Sequence, residues 1–133
     1  MLAVVLLAAT AFGVWRRRVD GRVARPVADA TTLTRAELGH EFGSRATLVQ
    51  FSSAFCAPCR AARQVLAHAA TTVEGVRHIE VDAESHLDLV RRLGITRTPT
   101  TLVLDASGRV VRRASGVPRT PEVLAAVNAV VTS

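Results

Sequence analysis

The spacing of hydrophobic and polar positions changes several times along the chain, and each spacing predicts an element. An uncharged apolar run covers Met1 to Trp15. Beyond it, apolar residues three and four apart predict helices, whereas short apolar runs and alternation predict strands. The predicted helices are 34–42, 59–70, 86–93 and 121–131, and the predicted strands are 47–52, 76–81, 100–104 and 110–113.

Residues at the ends of these segments support the predicted helices. Thr34 and Glu37 have the spacing of a capping box, and Gly43 is the predicted end of that first helix. Ser85 and Thr120 are predicted to cap two later helices, because their hydroxyls accept hydrogen bonds from free backbone N–H groups.

The order of the elements predicts an α/β fold with a mixed sheet of about four strands. The first two strands are joined by a helix and should be parallel, while the last two should form an antiparallel hairpin. Helices must cover both faces of so small a sheet. We expect one domain over residues 32–133, preceded by a linker over 19–31 and an apolar helix over 1–18.

The apolar run at the N-terminus is interpreted as a membrane anchor. Arg16, Arg17 and Arg18 follow it directly, which places the folded domain on the cytoplasmic side of a cell membrane by the positive-inside rule. Fifteen residues span only ~22 Å, against ~30 Å of hydrocarbon. A cleaved signal and a buried core helix remain alternatives, although Phe12 and Trp15 stand where a cleavage site requires small residues.

Composition excludes several classes of function. All 17 basic residues are Arg, so lysine Schiff-base and P-loop chemistry are excluded. Five of these arginines cluster in residues 1–28, and aromatic residues make up only 4% of the chain, so we expect no nucleic-acid partner. Two cysteines are too few for a disulfide-rich scaffold.

Those two cysteines, Cys56 and Cys59, are the candidate chemistry. They are three residues apart at a predicted strand-to-helix junction, which brings their sulfurs close enough to bond. The positive end of the helix dipole favours a thiolate on Cys56, which makes it the expected nucleophile. Cys59, one turn further on, is less exposed and would resolve a mixed disulfide.

Three further uses of a C-x-x-C pair stay open at this point. Such a pair can form half of a zinc site, although the four histidines (His40, His68, His78 and His86) do not have the spacing that completes one. A soft-metal chaperone would bind Cu(I) through the same two sulfurs. Two buried and chemically inert structural cysteines would also fit the pattern.

From about Thr31 to Val131 the chain resembles the thioredoxin family. Three segments carry the resemblance: TLVQFSSAFCAPC (47–59), HIEVDAE (78–84) and LGITRTPTTLVLDASGRVVRRASG (93–116). The resemblance implies a thioredoxin-like fold and a cis bond at Thr98-Pro99 facing the cysteines. It also implies that Thr98 pairs its backbone with an extended substrate segment and that Pro99 keeps metals off the thiols.

The sequence departs from the family pattern near the cysteines. Phe55 and Ala57 replace a Trp and a Gly of the usual W-C-G-P-C motif, and Gln50 stands where the family has a buried Asp. Gln cannot carry a proton, so an acid–base role at this position is lost or passes to water. The family's buried lysine falls near His78.

The resemblance implies a thiol–disulfide oxidoreductase that reduces a disulfide-containing protein with electrons from an upstream thiol reductant, and the N-terminal apolar run predicts that it is membrane-tethered. No cofactor and no metal are expected. The alternative is a non-catalytic binding module or a soft-metal chaperone that uses the cysteine pair. The expected catalytic residues are Cys56 and Cys59, and the expected substrate-binding residues are Phe55, Ala57, Pro58, Thr98 and Pro99.

Overall fold

The structure, a computed structural model, describes residues 1–19, 25–26 and 31–133. The helices are α1 (Leu2–Val19), α2 (Arg35–Leu38), α3 (Ala57–Thr72), α4 (Leu87–Arg92) and α5 (Thr120–Val131), with a 3-10 turn at Ala83–Ser85. The strands are β1 (Arg25–Pro26), β2 (Ala46–Ser52), β3 (Val76–Asp82), β4 (Thr100–Asp105) and β5 (Val110–Ser115).

In the part of the chain that the structure describes, the strands form one mixed sheet in the order β1-β5-β4-β2-β3. Strands β2 and β3 are parallel, and β4 pairs antiparallel with both β2 and β5. The predicted parallel pair and the predicted hairpin are therefore confirmed. Strand β2 lies between β4 and β3, and all of its residues are buried.

Each face of the sheet has its own hydrophobic core. Strand residues such as Val49 and Phe51 pack with Leu38 of α2 and Leu89 of α4 on one face, called here the α2/α4 face. The opposite face, called the α3/α5 face, buries a second cluster. Its members are Leu48, Leu66, Ala69, Val103, Ala114, Val123, Ala126 and Val127. Helices thus cover both faces, as predicted.

Helix α2 is shorter than the predicted helix 34–42. Its capping box is present, since the Glu37 backbone N–H donates to Thr34 Oγ1 at 3.2 Å and the Thr34 N–H donates to Glu37 Oε2 at 2.8 Å. The predicted end at Gly43 is wrong, because Gly39 ends the helix with a left-handed φ of 68°. At Gly43 a Cβ would lie 2.1 Å from the Ala46 carbonyl oxygen, so glycine is needed there for close approach of the chain.

Two predicted caps differ from the observed ones. Ser85 belongs to the 3-10 turn and donates its hydroxyl to Asp82. His86 is the N-cap of α4, but its side chain makes no capping hydrogen bond to the helix. Thr120 is already inside α5, whose N-cap is Arg119. Both differences arise because a neighbouring residue takes the extended or irregular backbone conformation that the cap position requires.

The N-terminal segment forms helix α1, and the side chains of residues 1–18 are exposed. Within the residues that the structure describes, no helix has both the length and the apolar character needed to cross a membrane. The predicted linker, 19–31, lies largely outside the described residues. Inside it the structure places β1, which pairs with β5 and adds a short strand to the four predicted.

Candidate active site

The two cysteines lie where the chain passes from β2 into α3. Cys56 is the N-cap of α3, and its Sγ accepts a hydrogen bond from the backbone N–H of Cys59 at 3.2 Å. The two sulfurs are joined in a disulfide, and their Cα atoms are 5.2 Å apart. Pro58 occupies the first turn of the helix, where its missing N–H leaves no hydrogen bond unmade.

The cysteines differ in their accessibility, as their positions in the sequence predict. Cys56 is partly exposed, whereas Cys59 is only 2% exposed. Phe55, just before the pair, is fully exposed and has a positive φ of 55°. This conformation is uncommon for a residue with a Cβ, and residues of this kind are enriched at binding and catalytic sites.

A shallow cleft of about 500 Å³ lies beside the disulfide. Its lining residues are Ser53, Ala54, Phe55, Cys56, Ala57, Cys59, Arg60 and Arg63. The cleft therefore combines the exposed sulfur and an exposed aromatic ring with two basic side chains.

Thr98 and Pro99 lie next to the cysteine loop. Their peptide bond is cis, in agreement with the resemblance. The hydroxyls of Thr98 and Ser53 are hydrogen-bonded at 2.8 Å, which joins the segment before β4 to the loop after β2. Pro99 itself is buried, while Thr98 is partly exposed.

Beneath α3, the side chain of Gln50 connects the cysteine turn to the sheet. Gln50 is 0% exposed, and its Nε2 donates to the backbone carbonyl of Cys59 at 2.8 Å and to Ser52 Oγ at 3.0 Å. Its Oε1 lies 3.0 Å from Nε2 of His78 on β3. The amide thus has partners at both ends, as a buried polar group requires.

The environment of His78 disfavours its charged form. Burial lowers its pKa below the ordinary value of 6.5, and nearby Arg63 lowers the pKa further, whereas Glu80 opposes the shift. Arg63 and Glu80 form a two-pronged ion pair at the surface, with both N···O distances at 2.8 Å.

The fold around this site is that of a known family. A family model for Thioredoxin matches residues 30–129. The chain belongs to the thioredoxin family. No curated protein matches the chain significantly.

Solved thioredoxins have the same fold at low sequence identity. A mutant thioredoxin from Halobacterium salinarum NRC-1 is 17% identical with a TM-score of 0.61, covering 66% of this chain and 76% of that one. Thioredoxin from Fasciola hepatica is 22% identical, with a TM-score of 0.57 and coverage of 66% and 83%. Oxidized mitochondrial thioredoxin 3 from Saccharomyces cerevisiae is 16% identical, with a TM-score of 0.56 and coverage of 65% and 79%.

Within this thioredoxin fold, the predicted site residues lie in two adjoining segments. Phe55, Cys56, Ala57 and Cys59 line the cleft, and Pro58 is exposed on the same helical turn. Thr98 reaches that loop through its bond to Ser53. Among the residues that the structure describes, no three His, Cys, Asp or Glu side chains are grouped so that they can hold a metal ion.

Sequence reasoning missed two participants in this arrangement. Ser53 had no recognisable signal, because a serine after a strand is common in loops. The resemblance sets His78 only near the family's buried lysine, and the observed pairing of β2 with β3 is what brings it to Gln50.

Proposed function

We propose that this thioredoxin-family protein is a thiol–disulfide oxidoreductase that reduces protein disulfides through Cys56 and Cys59. The observation that carries the proposal is the bonded sulfur pair at the N-terminus of α3, with one cysteine accessible and the other buried. The helix N-terminus stabilises a thiolate on the accessible cysteine, whose sulfur already accepts an N–H bond from the first turn.

In the proposed reaction the reduced protein transfers two electrons to a protein disulfide. The Cys56 thiolate attacks one substrate sulfur, so a mixed disulfide forms and the other substrate sulfur leaves as a thiolate that takes up a proton. Cys59, as a thiolate, then attacks Cys56 Sγ. This step forms the Cys56–Cys59 disulfide and releases the second substrate sulfur as a thiol. An upstream thiol reductant restores the dithiol by the same exchange, without a cofactor.

The proposed substrate contacts are the exposed groups around Cys56. Phe55 offers an aromatic ring, and Ala57 and Pro58 offer small apolar surface beside the sulfur. The segment Thr98-Pro99 adjoins the same loop, so the backbone of Thr98 is the proposed partner of an extended substrate strand.

The experiment uses the reduced full-length protein with insulin as the disulfide substrate and dithiothreitol as the reductant. We expect insulin reduction well above the dithiothreitol background. Cys59→Ser should accumulate a covalent mixed disulfide with the substrate, because the resolving thiol is absent. Mass spectrometry of the alkylated mixture measures this adduct.

Cys56→Ser is the matched control, and we expect it to form no adduct and to have no activity above background. Equal trapping by the two single variants would contradict the assignment of Cys56 as nucleophile. Wild-type protein that does not accelerate insulin reduction would overturn the reductase proposal. An inert disulfide would then favour the non-catalytic binding module.

We also propose that α1 attaches the protein to a membrane, with the thioredoxin domain on the cytoplasmic side. The support is the uncharged run from Met1 to Trp15, whose side chains are exposed, and the three arginines that follow it directly. On the cytoplasmic side, cellular thiols would keep the cysteine pair reduced and ready to donate electrons.

Two reporters fused after Ser133 test this placement, one active only in the cytoplasm and one active only outside it. Membrane fractionation of the same fusions tests the attachment. We expect the cytoplasmic reporter alone to be active and the fusion to sediment with membranes. Activity of the outside reporter alone would reverse the orientation, and a fusion found only in the soluble fraction would refute the attachment.

A further inference from the structure

The hydrogen bonds beneath Cys59 run in one direction. The Cys59 carbonyl oxygen accepts only, so the group of Gln50 that faces it at 2.8 Å must be the amide NH₂. The carbonyl oxygen of the same amide therefore faces His78, 3.0 Å away. Because this oxygen cannot donate, His78 Nε2 must carry a hydrogen. Histidine thus donates to glutamine, and glutamine donates to the cysteine turn.

This chain of bonds does not depend on the charge of His78. The neutral ring with hydrogen on Nε2 and the protonated ring both donate from Nε2. The charged groups near the ring are Glu80 on β3 and Arg63 on α3, and these two are paired with each other. This series of hydrogen bonds gives no path for a proton to the Cys59 sulfur. The Gln50 amide does not titrate, and it contacts the backbone carbonyl of Cys59 rather than the sulfur.

We propose that His78, acting through Gln50, is a positioning residue that holds the first turn of α3 so that Cys59 stays within bonding distance of Cys56. The inference rests on the proposed dithiol–disulfide cycling. A held turn keeps the two thiols of the reduced protein close together, which raises their effective concentration and favours closure of the disulfide. When the turn is held less firmly, the reduced dithiol loses more conformational entropy as the disulfide closes. The disulfide is therefore easier to reduce.

The test measures the thiol–disulfide equilibrium constant of the full-length protein against glutathione at neutral pH. In His78→Leu the donor is lost and Gln50 Oε1 is left unpaired. We expect the constant for disulfide formation to fall by up to about tenfold, the limit reached if the whole net energy of this part-buried hydrogen bond favours the closed pair. His78→Gln should stay within about twofold of wild type, because its amide nitrogen reaches the position of Nε2 and donates in the same way.

Two further variants complete the design. His78→Asn carries the same amide as His78→Gln on a shorter side chain that does not reach Gln50. We expect the same fall in the constant as for His78→Leu, so the test can still be made if the leucine variant does not fold. His68→Leu makes the same substitution at an exposed histidine of α3 and should leave the constant unchanged.

A purely structural role for His78 predicts a different result. The free energy of unfolding would then fall equally in the oxidised and reduced forms, and the glutathione equilibrium would not move. That result, or a His78→Gln variant as impaired as His78→Asn, would overturn the inference. The glutathione equilibrium needs no protein substrate. A wild type that fails to reduce insulin while its variants shift this equilibrium therefore refutes the proposed function and leaves the positioning role standing.

Discussion

Strand β2 presents different side chains to the two faces of the sheet. Toward the α2/α4 face it presents Val49 and Phe51, which are fully buried in a hydrophobic cluster. Toward the α3/α5 face it presents Leu48 and then Gln50, whose amide is bonded to Ser52, His78 and the carbonyl of Cys59. The apolar character of this second face thus ends at the edge of the sheet where α3 begins.

The two faces thus serve different requirements: one stabilises the fold, and the other positions the cysteine turn. A close-packed apolar face stabilises the fold, since each buried aliphatic or aromatic side chain contributes through the hydrophobic effect and dispersion. A buried amide contributes little net stability, but its directed bonds hold one turn in one position. Substitutions on the α2/α4 face should therefore change stability with little effect on the thiol chemistry, and those at Gln50 should change both.

The largest expected effect on stability is that of Phe51→Ala. Removing a fully buried aromatic ring leaves a cavity, which should lower the free energy of unfolding by about 3–5 kcal/mol. Denaturant unfolding measures the loss. The glutathione equilibrium of the folded protein should stay within about twofold of wild type, and a larger change would show that the two faces are not separable in this way.

Gln50→Leu should have a smaller effect on stability and a clear effect on the cysteines. The substitution keeps a similar volume but leaves His78 and Ser52 without their bonds to the amide, so we expect a loss of about 1–3 kcal/mol. Unlike Phe51→Ala, it should also shift the glutathione equilibrium toward the dithiol. Denaturant unfolding and the glutathione equilibrium are measured on the same preparation of the variant.

Thr101→Val is the matched control for Gln50→Leu. Thr101 lies directly opposite Gln50 on β4 and is also buried, but its hydroxyl has no hydrogen-bond partner among the residues that the structure describes. Replacing it with an isosteric methyl should leave stability unchanged or slightly raised. A destabilisation as large as that of Gln50→Leu would indicate that removing any polar side chain from this face lowers stability, whether or not the side chain is hydrogen-bonded.

Thr34→Ala tests the periphery of the α2/α4 face. It removes the hydroxyl of the capping box and should cost about 1 kcal/mol of stability, the usual value for an N-cap. Thr34 caps α2, which packs on the opposite face of the sheet from α3, and it does not line the cleft beside the disulfide, so we expect insulin reduction by the folded protein to be unchanged. A loss of activity without a loss of stability would contradict this separation.

The pH dependence of stability tests the partly buried environment of His78. Because burial lowers the pKa of His78 in the folded state, the unfolded chain binds a proton first as the pH falls through 6.5. The contribution of His78 to stability is therefore present above that pH and is lost as the pH falls toward the lower folded-state pKa. Relative to His78→Gln, the wild type should therefore lose stability as the pH falls below about 6.5. Parallel curves for the two proteins would contradict a lowered pKa for the partly buried His78.

Local pattern predicted most of the fold. The capping box at Thr34, the buried strand β2 and the hairpin of β4 and β5 depend on residues close together in the chain, so the sequence reveals them. The predicted end of α2 at Gly43 lies too late, because Gly39 and Gly43 are both suitable stops and only the left-handed turn at Gly39 is used.

The cysteine pair and its place at the start of a helix were determined by the sequence itself, because strand pattern, C-x-x-C spacing and Pro58 are all local signals. The support beneath Cys59 was decided by the tertiary structure. Gln50 and His78 are 28 residues apart, and their contact exists only because β2 and β3 pair in a register that sets Leu48 beside His78. Side-chain alternation assigns each residue to a face of its own strand, but packing of the whole sheet chooses which residues on that face meet.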